Sequence, residues 1–280
     1  MLLKTFKTAA WLGWQIESNW TDLFLFSIYA IIKPLAGAAI LVVMYSVITR
    51  GDYNSPLFTY MFMGNAFYII VGQMINGMAW AVVDDREHYK TLKYMYIAPI
   101  HYPTYLIGRS VASFLVASVS VIITITVGVL FLHVRFNLSA VDWPLFLVSL
   151  FIGIAFLSMM GLIMASFMLL SAHHVWDIGG AVAGSLFIFT GAVFPLQTLP
   201  VVLRPIGYLM PITYWLELLR RSLVGTVAQA YPILEGATNL ELLGILIALT
   251  IIVTGIAIYS YRSCEQKARE RGMLDMVTNY

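Results

Sequence analysis

The residues of this 280-residue chain best suited to chemistry are charged groups in apolar surroundings, because 60% of the sequence is hydrophobic and only 11% is charged. Three clusters qualify. Glu217, Arg220 and Arg221 stand at i, i+3 and i+4 in PITYWLELLRRSLVG, a spacing that sets a carboxylate beside a guanidinium on one helix face and predicts an ion pair. Asp84, Asp85, Arg86, Glu87, Lys90 and Lys93 crowd into DDREHYKTLKYMYIAP, from Asp84 to Pro99. His173, His174 and Asp177 have the donor types for metal or acid-base work, but no further His, Cys or carboxylate cluster completes a metal shell, and a structural or solvated role is expected.

The elements that position these groups must live in lipid. Soluble domains carry roughly 25% charged residues. The net charge of +2 gives no concentrated basic surface for nucleic acid, so nucleic acid is not an expected partner. The one cysteine, Cys264, cannot form an internal disulfide. The first residues show no short apolar core with a small-residue cleavage site, so no removable signal peptide is expected.

A hydrocarbon core of about 30 Å needs about 20 apolar residues per helical crossing. Six runs meet that: 23–48, 57–83, 105–132, 144–170, 178–194 and 240–261. The expectation is an all-α integral membrane protein with six transmembrane helices in a single domain over 1–280, the membrane part covering 23–261 and a cytoplasmic tail covering 262–280. Lys and Arg concentrate on one side of these runs, which places both termini in the cytoplasm by the positive-inside bias. Ahead of the first run, Leu2, Phe6, Ala9, Gly13, Ile16 and Trp20 recur at spacings of three and four, with Trp11 and Trp14 nearby. An amphipathic interfacial helix over 1–20 is predicted, serving either as an anchor or as a link to a partner.

In the Asp84–Pro99 connection, Asp84 and Asp85 are suited to capping a helix start, and Lys90 and Lys93 come later along its dipole. A short cytoplasmic helix is predicted, with Arg86, Lys90 and Lys93 on a basic face and Tyr89, Leu92 and Tyr96 on an apolar one. Either it touches a partner or its charges only enforce orientation. Lys33, followed by Pro34, lies inside the first run, about 8 Å from its inner boundary, where the stem can snorkel. The alternative is a watery cavity between subunits. Asn65, Gly72 and Asn76 share a face of the second run with Gln73 beside them, and read either as packing contacts between helices or as lining for a polar pathway.

The run 192–221, AVFPLQTLPVVLRPIGYLMPITYWLELLRR, carries Pro195, Pro200, Pro205 and Pro211, so it cannot be one continuous crossing helix. Pro195 is expected to end the fifth span, and too little chain remains to cross back. A re-entrant helix-turn-helix in the outer leaflet fits, since non-helical backbone at membrane depth survives only where protein or a water-filled cavity satisfies it.

FPLQTLP followed by PITYWLELLRRSLVG, with this inner segment and this span count, resembles the permease subunits of the ABC-2 family of ATP-driven exporters, in particular the outer signature of the drug-exporter and nodulation-factor branch. The resemblance is carried by Phe194, Pro195, Leu199, Pro200, Pro211, Thr213, Tyr214, Glu217, Arg220 and Gly225, and covers essentially the full chain. In the inner segment Glu87, Thr91, Leu92 and Pro99 match the family pattern, whereas Lys90 stands where glycine is usual and Lys93 where an acidic residue is usual.

The resemblance implies a dimer of six-span permeases in a bacterial or archaeal plasma membrane, with two ATP-binding subunits docked below. They would meet Asp85, Arg86, Glu87, Lys90, Thr91, Leu92 and Lys93. An outer gate would be built from Phe194, Pro195, Leu199, Pro200, Pro211, Tyr214, Glu217 and Arg220, and a pathway between the first, second and fifth spans would pass Lys33, Asn65, Gln73 and Asn76. The chain has no G-x-x-x-x-G-K-[ST] phosphate loop, so ATP and its magnesium belong to the partner and this chain needs no cofactor of its own. The implied substrate is an amphiphile: a drug, a lipid or a lipid-linked glycan. Two rivals stand beside this reading. A secondary transporter calls for paired broken helices in both halves of the chain, and an intramembrane enzyme would have to be built on His173, His174 and Asp177.

Overall fold

The computed structural model describes residues 2–19, 32, 35–40, 42–47, 55–132, 134, 138–171, 178–225, 230–234 and 236–274. Among them the chain is helical and contains no strand. Nine helices are labelled here: α1 (Leu2–Asn19), α2 (Pro56–Val83), α3 (Leu92–Ile97), α4 (Tyr102–Phe131), α5 (Trp143–Leu170), α6 (Ile178–Phe189), α7 (Arg204–Tyr208), α8 (Pro211–Val224) and α9 (Asn239–Glu270). Helix α2 with its π-helical extension Asp84–His88, and helices α4, α5 and α9, are each long and apolar enough to cross a membrane. They correspond to the second, third, fourth and sixth predicted spans. Residues at 35–40 and 42–47 of the first predicted span are helical, while Lys33, His173, His174 and Asp177 lie outside the described residues.

Local chemistry sets the starts of the long helices. The Ser55 hydroxyl accepts from the Leu57 amide ahead of Pro56, and the Asp142 carboxylate accepts from the Leu145 amide ahead of Pro144. Thr238 and Glu241 form a reciprocal capping box at the start of α9.

Helix α2 is the axis of the bundle and is buried over most of its length. Helix α4 runs antiparallel to it: Tyr102 meets Asp85 at one end, and Phe62 packs on Gly128 near the other. Helix α5 runs parallel to α2, with Met78 against Gly161. Helix α1 crosses the first turns of α4, and the contact is closest where a Cβ on Gly108 would lie 2.7 Å from both the Ala9 Cβ and the Phe6 carbonyl. Ala9 and Gly13 are thus the buried face of α1, while Leu2, Trp11 and Trp14 are exposed.

The fifth predicted span is shorter than the sequence suggests. Helix α6 ends at Phe189 rather than Phe194, because the chain turns through Thr190 and through Gly191 at φ +68°, which favours glycine. It runs back along α2 from Gly179, beside Asn76, to Ala183, whose carbonyl accepts from the Tyr68 hydroxyl. A 3-10 turn at Leu196–Thr198 and the five-residue α7 follow, and then α8.

Candidate functional site

The two charged clusters of the sequence sit at opposite ends of α2. At its last turns Asp85 is buried, and its carboxylate accepts from the Tyr102 hydroxyl (3.0 Å), the Tyr105 hydroxyl (3.1 Å) and Arg109 Nη1 (3.4 Å). Tyr102, Tyr105 and Arg109 stand three and four residues apart, on one face of α4. The Tyr102 and Tyr105 rings stack with centroids 5.5 Å apart. Three donors around one carboxylate satisfy a charge that burial would otherwise make costly.

Asp84 and Asp85 therefore do not cap a new helix. Helix α2 runs on into the π-turn Asp84–His88, closed by the Tyr89 amide on the Asp84 carbonyl (2.8 Å). The short helix predicted in the Asp84–Pro99 connection is interrupted: Lys90 takes φ +53°, the left-handed region that residues other than glycine rarely adopt, and α3 begins only at Leu92. Lys90 is the position where the resembled family usually has glycine. The backbone explains that usage, since glycine adopts this conformation without a Cβ penalty.

The interruption also dissolves the predicted basic face. Arg86 is buried, donating from Nη1 to the Met168 carbonyl at the end of α5 (3.1 Å) and from Nη2 to Glu87 (3.0 Å). Leu92 is buried and Tyr96 half-buried, and Thr91 donates its amide to the Asp85 carbonyl (2.8 Å). What remains outward is Tyr89, Lys90, Lys93, Tyr94 and Ile97, a mixed cationic and apolar edge.

Helix α1 reaches the same cluster. The Ser113 hydroxyl donates to Glu17 (3.3 Å), and burial pushes the Glu17 carboxyl above its ordinary value, opposed by the Arg109 guanidinium and the Ser113 hydrogen bond. The Asp85 cluster thus ties the end of α2 to the start of α4, and α1 lies against the same stretch of α4, with Gly13 close to Arg109 and Ala112.

At the other end lies α8, buried on nearly every residue. Its Ser222 carbonyl accepts from the Asp142 amide (2.9 Å), level with the start of α5, and its Trp215 indole packs against Gly153, ten residues into α5, or about 15 Å along that helix. A Cβ at Gly153 would collide with that indole. Phe67 and Phe156 meet the same ring edge-on.

Glu217 and Arg220 are both buried, but their partners differ from the simplest pairing. Glu217 accepts from Arg221 Nε at 3.0 Å, while Arg220 Nη1 stays 4.0 Å from its other oxygen. Arg220 instead spends its fork on main-chain carbonyls: Nη2 to Gly191 (2.7 Å) and Ala192 (3.1 Å), and Nε to Tyr60 (3.2 Å). Its guanidinium also lies over the Tyr60 ring, 3.7 Å from the centroid. Two of the carbonyls that Arg220 satisfies, Gly191 and Ala192, lie in the turn just past the end of α6.

The remaining sequence candidates divide between these sites and α2. Pro195 and Leu199 are buried, Phe194 is half-buried and Pro200 exposed; Pro211 opens α8, and the Tyr214 hydroxyl donates to the Tyr208 carbonyl (2.8 Å). The Thr213 hydroxyl binds the Gly207 carbonyl (2.8 Å), pinning α7 to α8. Asn65, Gln73 and Asn76 fall with Ile69, Gly72 and Trp80 on the one stripe of α2 that is not fully buried. Asn76 packs where Gly179 begins α6, and the two border a small crevice that also takes in Trp80, Val83 and Met168.

Sequence reasoning missed Tyr102, Tyr105, Tyr60, Gly64 and Trp215. The i, i+3, i+7 spacing of Tyr102, Tyr105 and Arg109 was a usable signal; the contacts of Tyr60 and Gly64 with Arg220 join residues about 160 positions apart and left none. No curated protein matches the chain. A family model described as ABC-2 type transporter matches residues 6–224, nearly all of α1 through α8, and the chain belongs to that family: it is a multi-pass permease component of an ABC transporter, with no ATPase motif of its own.

Proposed function

We propose that this chain is the permease subunit of an ATP-driven exporter that moves an amphiphile (a drug, lipid or lipid-linked glycan) outward across the plasma membrane. Two copies work with two ATP-binding subunits, both termini lie in the cytoplasm, and the motors dock at the Asp85 end of the bundle. The observation that carries this reading is the outward edge of Lys90, Lys93, Tyr94 and Ile97, which is mounted on the buried Asp85 cluster that joins α2 to α4, the helix on which α1 packs. A partner pressing on that edge moves three helices together.

At the opposite end, α7 and α8 supply the gate. A short helix pair that enters from one side, rests Trp215 on Gly153 and returns level with Asp142 is a re-entrant element rather than a crossing, the carbonyls at the turn between its helices satisfied by Thr213 and Tyr214. ATP-driven closure of the motors rocks the long helices and shifts this element between two packings, in the manner of rigid-body gating. The half-exposed stripe with Asn65, Gln73 and Asn76 faces the pathway.

Co-purification tests the docking. A tagged chain retains an ATP-binding subunit, and Lys90→Glu with Lys93→Glu lowers that retention at least about tenfold by placing like charges across the contact. Unchanged retention would remove the docking edge. Labelling of a cysteine at exposed Thr198 from outside intact cells tests the topology, and labelling only from the cytosol would reverse the assignment of the two ends.

A further inference from the structure

Helix α9 lies beyond the residues matched by the family model, yet it touches both candidate sites. At its start, Arg221 of α8 donates from Nη1 to the Ala237 carbonyl (2.7 Å) and to Asn239 Oδ1 (3.2 Å), while its Nε holds Glu217. At its far end the Tyr261 hydroxyl lies 2.9 Å from the Tyr96 hydroxyl, and the Arg269 guanidinium sits over the Tyr96 ring, 4.9 Å from its centroid. Glu265 steadies that guanidinium at 2.7 Å. Tyr96 belongs to α3, and its ring is 5.4 Å from that of Tyr102, a donor to Asp85.

Between these ends α9 is one uninterrupted helix of 32 residues, about 48 Å long, with no proline inside it. It lies along α5, fastened at Ser260 to Ser166 by a 2.8 Å hydrogen bond, with Leu242 and Leu246 in the same apolar cluster as Trp215. Apolar packing alone would leave α9 free to slide or roll past α3 and α8. Directional polar contacts at both ends oppose that motion, the Tyr261–Tyr96 and Arg221–Ala237 hydrogen bonds in part-buried surroundings and the Arg269 and Asn239 contacts at the surface. The middle of the helix is ordinary packing, and the specificity is at the tips.

We propose that α9 is a rod that carries displacement of α3 to α8, with Tyr261 and Arg269 as positioning residues at one tip and Asn239 at the other. The inference rests on the reading of the chain as a motor-driven permease. Movement of the docking edge shifts Tyr96, Tyr96 draws the end of α9 with it, and the start of α9 moves Arg221 and so α8. The helix itself touches neither motor nor substrate.

The test uses the whole complex, purified through a tagged chain with its ATP-binding subunit and placed in vesicles of phosphatidylethanolamine and phosphatidylglycerol. A cysteine replaces Val202, which is 85% exposed just ahead of α7, in a Cys264→Ser background, and its maleimide labelling rate is read with and without ATP. ATP changes the rate in the parent complex. Tyr261→Phe, Arg269→Ala and Asn239→Ala each shrink that change about fivefold while ATP hydrolysis continues, and Arg269→Lys, which keeps a cation over Tyr96, restores most of it. A full ATP-dependent change in Tyr261→Phe and Asn239→Ala overturns the rod. No ATP-dependent change in the parent complex overturns the motor-driven reading itself, and the rod with it.

Discussion

The Arg220 guanidinium occupies the space beside Gly64: a Cβ built on Gly64 would collide with Arg220 Nη2 and with the Ala192 carbonyl that it binds. Helix α2, the end of α6 and α8 therefore meet at a point where one side must have no side chain and the other must have a forked one. Lysine cannot replace Arg220, since a single ammonium does not serve the Tyr60, Gly191 and Ala192 carbonyls from one fixed plane.

Gly64→Ala should force that guanidinium off its carbonyls. The expected loss is about 1–3 kcal/mol from overpacking, with transport falling further because the end of α6 loses its anchor. Thermal unfolding of the purified chain measures the first and transport in vesicles the second. An unshifted melting curve would show that the contact yields at no cost.

The Glu217 partner can be assigned by exchange. Glu217→Arg combined with Arg221→Glu should keep a close pair, because Arg221 is the 3.0 Å partner and is the more accessible of the two arginines. Glu217→Arg combined with Arg220→Glu should fail, since it sets a carboxylate against three carbonyl oxygens and breaks a buried arrangement worth about 3–5 kcal/mol. Membrane abundance and transport of the two double variants decide it.

Lys90 should tolerate glycine and reject β-branched residues. Lys90→Gly relieves a left-handed conformation, whereas Lys90→Val at φ +53° costs about 1–2 kcal/mol and loosens α3 from Asp85. Retention of the ATP-binding subunit should follow the same order, Gly at least equal to Lys and Val well below. Equal retention in all three would mean that the turn relaxes freely.

Docking of α1 should depend on pH. Burial raises the Glu17 carboxyl in the docked helix, so its neutral form is the one that docking favours. The stabilisation is complete below the ordinary carboxyl value and is lost as pH rises through the raised one, because the released helix ionises more readily. Amide hydrogen exchange in α1, corrected for intrinsic rates, should quicken as pH rises across that interval. Glu17→Gln should flatten the dependence.

Asp85 gathers three donors from one face of α4. Asp85→Ala strands the Tyr102 and Tyr105 hydroxyls and the Arg109 guanidinium, and should cost about 3–5 kcal/mol; Asp85→Asn keeps an acceptor and should cost less. Thermal unfolding ranks the two.

Much of this architecture is legible along the chain. Helices α2, α4, α5 and α9 follow from apolar length, and the starts of α2, α5 and α9 are set by local caps at Ser55, Asp142 and Thr238, which the reading of the sequence did not single out, since insertion and capping are decided by residues within a few positions of one another. The four prolines between 195 and 211 forbid a crossing helix for the same local reason. The stretch at Asp84–Lys93 was less readable. Its charges suit an ordinary exposed helix, and only burial of Asp85 and Arg86 against α4 and α5 turns it into a π-turn, a strained Lys90 and the short α3.

What the sequence by itself determined is a helical chain that lives in lipid, kinks ahead of α8 and carries two charged clusters, because hydrophobic length, proline geometry and the burial cost of charge are properties of neighbouring residues. Tertiary structure alone decided the partners taken across helices: Arg220 to the carbonyls just past the end of α6, Arg86 to the end of α5, and Asp85 to Tyr102 and Tyr105. A charge buried in an apolar bundle accepts whatever hydrogen-bonding group packing brings within about 3 Å, and that choice is made between helices far apart in the chain.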